Sequence, residues 1–164
     1  MSLSLLSGNT GQYVDRVVDL LAFDNMDPVQ ETRLVQALIM PGGSGAMITG
    51  VQKLAHRFLI ELLTVEGTLQ YLPDRGCSFM ADANSGVWRV PADVQASFAA
   101  ALFTIRQNLQ AEEDIEDPDE ERFDDAELLN VRIGGGEASI QVRIVSLAGD
   151  EVEVILPIRV NVVR

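Results

Sequence analysis

The sequence predicts an α+β domain: two amphipathic helices packed on a C-terminal antiparallel β-meander, preceded by an N-terminal extension. Two segments, about 50–63 and 92–110, carry apolar residues at helical spacing. After residue 127 apolar residues alternate with polar ones, which is typical of strands with one buried face. The 164 residues suit one domain, which we divide into the extension, 1–47, and the α+β domain, 48–164.

The extension contains two apolar segments that fit either helix or strand. They are "YVDRVVDLLAF" at 13–23 and "RLVQALIM" at 33–40. The turn signal "DNMDPVQE" between them favours a β-hairpin. The stretch "PGGSG" at 41–45 then separates the extension from the domain. No Gly-Lys-Ser/Thr follows it, so we expect a linker and not a phosphate-binding loop.

The first predicted helix, from about 50 to 63, follows Thr49, a suitable N-cap. Its apolar face comprises Val51, Leu54, Ala55, Phe58, Leu59 and Leu62. The opposite, polar side carries Gln52, Lys53, His56, Arg57 and Glu61. We therefore expect His56, the sole histidine, to lie on the helix surface as a solvated or interface residue.

The second predicted helix, from about 92 to 110, begins after Pro91, and Asp93 favours the positive end of the helix dipole. Its apolar stripe comprises Val94, Phe98, Ala101, Leu102, Ile105 and Leu109. Both helices are amphipathic, so each is expected to lie on a core or on a partner.

An acidic run follows the second helix and dominates the charge of the chain. The net charge is −13, and residues 112–127 hold eleven acidic residues and one arginine. We expect a solvated loop at about 111–127, with a patch for a basic partner as the alternative. So acidic a chain has no evident phosphate-binding surface, and we expect no nucleic-acid partner.

The predicted meander has turns at "GGG", 134–136, and "AGD", 148–150. Its last strand, 151–163, contains Pro157, which cannot donate a backbone hydrogen bond and so indicates an edge strand. No apolar run is long enough for a transmembrane helix, and the N-terminus does not resemble a secretory signal. One cysteine cannot form an internal disulfide, so a cytosolic origin is the simplest interpretation.

Catalytic and metal chemistry find little support in the residue types. His56 and Cys77 are each unique and lie in no nucleophile motif, so we expect Cys77 to be a small buried side chain. One histidine and one cysteine cannot supply a four-ligand zinc site, and we predict no cofactor. A glycosidase would need a pair of carboxyl groups, for which Glu61, Glu66, Asp74 and Asp82 are the candidates.

The stretch "FLIELLT", 58–64, leads into "VEGTLQYLPDRGCSF", 65–79, and a second amphipathic helix and a β-meander follow. This order resembles the small baseplate wedge proteins of contractile-tailed bacteriophages, a family sometimes labelled lysozyme-like, with relatives in type VI secretion baseplates. The residues that match the family pattern are Leu62, Leu63, Thr64, Gly67, Pro73, Gly76 and Cys77. The resemblance covers about 48–164, but Asp117-Pro118-Asp119 stands where the family often has Glu-Pro-Arg.

The resemblance implies a non-enzymatic structural role in a virion, in a tail baseplate assembled in the host cytoplasm. The implied partners are other wedge subunits, bundled with the helices, and the sheath protein, joined by strand exchange; tube or hub proteins are further candidates. The 64–79 loop would be a shaped turn, anchored to the core by Leu72, Cys77 and Phe79. The expected contact residues are Leu72, Pro73, Asp74, Arg75 and Phe79 in the loop, and Val152, Val154, Leu156, Ile158, Val160 and Val162 in the last strand.

Two rival hypotheses stand beside the structural one. A peptidoglycan-cleaving enzyme would use Glu66 or Asp74. An acidic adaptor would recruit a basic partner through residues 112–127, and its binding would fall with added salt.

Overall fold

A computed structural model describes residues 19–20 and 47–160, and this part of the chain is α+β, as predicted. The helices are α1 (Val51–Leu63), α2 (Phe79–Ser85) and α3 (Pro91–Glu112). A 3-10 turn, Asp119–Glu121, leads to the strands of the main sheet. The main sheet comprises β3 (Phe123–Gly134), β4 (Glu137–Ser146) and β5 (Glu151–Arg159). A short strand pair, β1 (Asp19–Leu20) and β2 (Met47–Ile48), comes before the helices in the chain.

Little of the predicted extension can be compared with the structure. Residues 19–20, in the first predicted hairpin strand, pair antiparallel with 47–48. The rest of the predicted hairpin and the 41–45 linker lie outside the described residues.

The two predicted helices are confirmed, and their boundaries lie within two residues of the prediction. Thr49 as the N-cap of α1 is wrong, because Gly50 occupies that position with a φ of 62°. At the start of α3, Asp93 Oδ2 accepts hydrogen bonds from the backbone N–H groups of Arg89 and Val90, at 2.9 and 3.0 Å. These bonds hold the pKa of Asp93 below its ordinary value.

Only part of the acidic run is the solvated loop that the sequence predicts: residues 113–118 connect α3 to the 3-10 turn, and Asp114, Ile115 and Glu116 are exposed. The rest of the run forms the 3-10 turn and the first residues of β3, where Phe123 and Ala126 are buried. Phe123 stacks on Phe58 of α1 with ring centroids 5.8 Å apart. Within the run, Glu121 is also buried, and its carboxylate accepts from the Gly50 backbone N–H and pairs with Lys53. Burial of the two apolar side chains thus draws this segment into the sheet despite its charge.

The sheet is an antiparallel meander in the order β3-β4-β5, as predicted. Its inner face packs against α1 and α3, whose apolar stripes fill the core of the chain. Aromatic rings join the helices: Phe79 of α2 lies 4.6 Å from the Trp88 ring and 6.1 Å from Phe98, centroid to centroid. The predicted stripes are therefore already occupied, and a partner must use other surfaces.

Candidate interaction site

The loop between α1 and α2, residues 64–78, is closed at its base by backbone hydrogen bonds. The Cys77 N–H donates to the Thr64 carbonyl at 2.9 Å, and the Glu66 N–H donates back to the Cys77 carbonyl at 3.4 Å. Higher in the loop, the Gly67 N–H donates to the Pro73 carbonyl at 2.9 Å. The residues from Thr64 to Cys77 thus form one compact structural unit.

Two glycines in this loop adopt left-handed backbone, as the sequence predicts for a shaped turn. Gly67 has a φ of 81° and Gly76 a φ of 90°. A Cβ on Gly76 would lie 2.4 Å from the Thr64 carbonyl oxygen, whereas a Cβ on Gly67 would meet nothing within 4 Å. Gly76 is therefore required both for its dihedral angle and for the close approach of two backbone segments.

A buried carboxylate ties the loop to both long helices. Glu61 of α1 is 1% exposed. Its Oε2 accepts from the Gly76 backbone N–H and from the Asn108 side-chain amide of α3, each at 2.9 Å. Its Oε1 lies 2.7 Å from Arg75 Nε. We call Glu61, Arg75, Gly76 and Asn108 the clamp.

Two sequence predictions about the polar side of α1 are wrong. Glu61 and His56 were both assigned to the polar, exposed side of the helix, and both are buried. The helical period could not show this for Glu61, because its partners lie 14 to 47 residues away in the chain. Its cation and donors come from the loop and α3, which makes burial of the charge tolerable.

Arg75 connects the clamp to the end of α3. Its Nη2 donates to Glu112 Oε2 at 2.8 Å, and Arg57 lies 3.4 Å from the same oxygen. The salt bridges of Arg75 are thus with Glu61 and Glu112, and its neighbour Asp74 is exposed. The main role of Arg75 in the loop is therefore to stabilise it through these internal salt bridges.

The other loop residues nominated from the sequence divide between surface and core. Leu72, Pro73 and Asp74 are exposed, so the prediction that Leu72 anchors the loop to the core is wrong. Phe79 and Cys77 are buried and anchor the loop as predicted. Since Phe79 has no exposed surface, it acts by packing and does not present a contact surface.

The Cys77 thiol has no features of a nucleophile. Its Sγ lies 3.5 and 3.6 Å from the carbonyl oxygens of Glu61 and Leu62. Burial raises the pKa of the thiol from 9.0 to about 11. The prediction of a small buried side chain is confirmed.

The four candidate carboxylates do not share one environment. Glu61 is held in the clamp, and Asp82 accepts a hydrogen bond from the Ser97 hydroxyl at 2.7 Å. Ser97 accepts in turn from the Trp88 indole N–H at 3.0 Å. Glu66 and Asp74 lie on the exposed part of the loop.

The last strand presents its backbone, and not the nominated side chains, at the sheet edge. Val154, Leu156, Ile158 and Val160 are buried against the core and Val152 is partly buried, whereas Val162 lies outside the described residues. In the part of the chain that the structure describes, β5 has a sheet neighbour on one side only, as Pro157 suggested.

The hydrogen-bond phase of β5 shows which groups point outward. The Val160 N–H donates to the Gly136 carbonyl at 2.9 Å, in register with the β4–β5 pairing. Backbone groups alternate along an antiparallel strand, so the odd-numbered residues from Glu151 to Arg159 direct their N–H and C=O groups away from β4. Pro157 leaves one gap in this row of donors.

Within residues 19–20 and 47–160, no group of three or more histidine, cysteine or acidic side chains is placed to hold a metal ion. None of the helices described is both long and apolar enough to cross a membrane. No family model, curated protein or solved structure matches the chain.

Proposed function

We propose that this chain is a structural subunit of a contractile phage tail baseplate, in its wedge, and that it acts by assembly without substrate turnover. It bundles with a larger wedge protein and starts the tail sheath by strand exchange through β5. The observation that carries the proposal is the motif from Leu62 to Cys77, which builds the loop between α1 and α2. The clamp fastens this loop to α1 and α3, and the loop precedes a sheet in which β5 has one neighbour among the described strands.

The outer face of α3 supports the bundling part of the proposal. Its inner stripe is used in the core, yet the solvent-facing residues of the middle turns are also uncharged: Gln95, Ala96, Ala99, Ala100 and Phe103. Phe103 is 67% exposed. Small side chains around one large ring allow another helix to approach closely, with the ring as a ridge. In so acidic a chain, an uncharged helix face indicates a surface for packing.

The edge of β5 supports the strand-exchange part. Outward N–H and C=O groups on a well-ordered edge form a template for a strand from another chain. The backbone supplies the attraction, while the side chains of β5 alternate between the core and the outer face of the sheet. The sheath subunit is the partner that this edge is proposed to receive.

A proline at position 155 tests the strand-exchange proposal without removing the core side chains of β5. The Ile155 N–H points away from β4, so Ile155→Pro removes an outward donor and leaves the β4–β5 hydrogen bonds intact. Ile155→Val keeps the donor and is the matched control. We expect baseplates with the proline variant to contain the chain but to nucleate sheath poorly in electron micrographs. Normal sheath on those baseplates would refute the strand-exchange role.

A further inference from the structure

The outer part of the 64–78 loop carries three large apolar side chains that are not buried in the core. Leu69 is 41% exposed, Tyr71 88% and Leu72 58%. Only Leu72 was nominated from the sequence. These three residues fall within four positions, and we call residues 69–72 the loop tip. Clustered exposed apolar side chains are typical of interaction surfaces.

Backbone hydrogen bonds below and within the loop tip order its backbone. The Leu72 N–H donates to the Leu69 carbonyl at 3.3 Å, and the Thr68 N–H donates to the Val65 carbonyl at 3.1 Å. Below these bonds, the clamp fixes the returning chain through Arg75 and Gly76. A pre-ordered loop loses little conformational entropy on binding, so its exposed tyrosine is well suited to anchor a complex.

The charge around the loop tip indicates the chemistry of its partner. Glu66 and Asp74 are exposed on either side of the tip, while Arg75, the cation next to Asp74 in the chain, is engaged by Glu61 and Glu112. The tip therefore presents apolar surface with a negative border. A second copy of the chain is disfavoured as the partner, because each copy carries a net charge of −13.

We propose that the loop tip inserts into an apolar pocket bordered by lysine or arginine side chains on another wedge subunit. This inference rests on the proposed function and adds a second contact to it, away from the β5 edge. Tyr71 is the anchor in the pocket, with Leu69 and Leu72 against its walls. Glu61 and Arg75 are positioning residues, which hold the tip but do not touch the partner.

The test uses the full chain and the wedge proteins that co-purify with it from cells producing the tails. We expect Tyr71→Ala to weaken the wedge complex about 30-fold, the size of effect seen for an interface hot spot. Ile115→Ala is the matched control, because Ile115 is equally exposed on a different loop, and it should leave the affinity unchanged. Neither side chain is part of the core, so both variants should fold.

A second measurement separates anchoring from positioning. Arg75→Met should weaken the complex and also speed hydrogen exchange at the Gly67 amide, while Tyr71→Ala should leave that exchange rate unchanged. A photo-crosslinker at position 71 should join to an apolar segment with flanking basic residues on a wedge subunit.

The two proposals fail in different ways. If the wild-type chain joins the wedge but Tyr71→Ala binds equally well, the loop-tip inference is wrong and the proposed function stands. Crosslinks from position 71 to an acidic or wholly polar segment would overturn it as well. If the wild-type chain joins no tail proteins, the proposed function fails, and the inference fails with it.

Discussion

Replacing Gly76 by alanine is the most direct perturbation of the clamped loop. A left-handed backbone costs a non-glycine residue about 1–2 kcal/mol. The new Cβ would also lie 2.4 Å from the Thr64 carbonyl oxygen and 2.8 Å from its carbon, so the two segments must separate. Separation breaks the 2.9 Å bond from the Cys77 N–H to that carbonyl, and losing a buried backbone bond costs about 1–3 kcal/mol. The total is roughly 2–5 kcal/mol of unfolding free energy.

Gly67→Ala is the matched control for this prediction. Gly67 lies in the same loop with a similar positive φ, but its Cβ would meet nothing within 4 Å. It should therefore lose only the dihedral cost, about 1–2 kcal/mol. Urea unfolding followed by circular dichroism measures both, and the Gly76 variant should have a midpoint lower than the Gly67 variant by on the order of 1 M. Equal midpoints would refute the claim that close backbone approach at Gly76 holds the loop.

Three other perturbations test the clamp, the α3 cap and the thiol. Glu61→Ala leaves buried donors unsatisfied and should cost about 2–4 kcal/mol in urea unfolding, whereas Arg106→Ala, which removes an exposed ion pair, should cost under about 1 kcal/mol. The folded-state pKa of Asp93 lies below its ordinary value of 3.8. The Asp93 carboxylate therefore stabilises the fold above pH 3.8, and this contribution is lost as the pH falls through the folded-state pKa. The difference in unfolding free energy between wild type and Asp93→Ala should accordingly shrink when unfolding is measured at acid pH. With a pKa of about 11, Cys77 should react with a chromogenic disulfide at pH 8 only after denaturant is added, and rapid reaction in the native protein would contradict its burial.

The parts of the fold that follow from periodicity could be predicted from the sequence. Apolar spacing located α1 and α3, alternation located the meander, and Pro157 indicated that the last strand lies at the edge of the described sheet. α2 was missed because seven residues are too few for a helical period to stand out. The strand within the acidic run was missed because charge dominates its composition, although Phe123 and Ala126 lie on its buried face.

The clamp could not be derived from the sequence, because it joins residues that no local pattern relates. In the sequence, Glu61 cannot be distinguished from other polar residues on an exposed helix face. Its hydrogen bonds with Gly76 and Asn108 form only in the folded chain. Gly76 and Arg75 were recognised as loop residues, but their partners depend on how α3 packs across α1. Tyr71 carried no sequence signal, since an exposed tyrosine in a loop is distinguished only by the rigidity of that loop.

The measurement that tests the central claim most directly is recovery of the tagged full chain from cells that produce the tails, with mass spectrometry of the bound proteins and their ratios. The proposed role predicts recovery of other wedge proteins and of sheath protein in fixed ratio to the chain. A monomer without tail proteins would contradict it. That result would favour the rival hypothesis of a peptidoglycan-cleaving enzyme, and an assay for cell-wall cleavage would then test the exposed carboxylates Glu66 and Asp74.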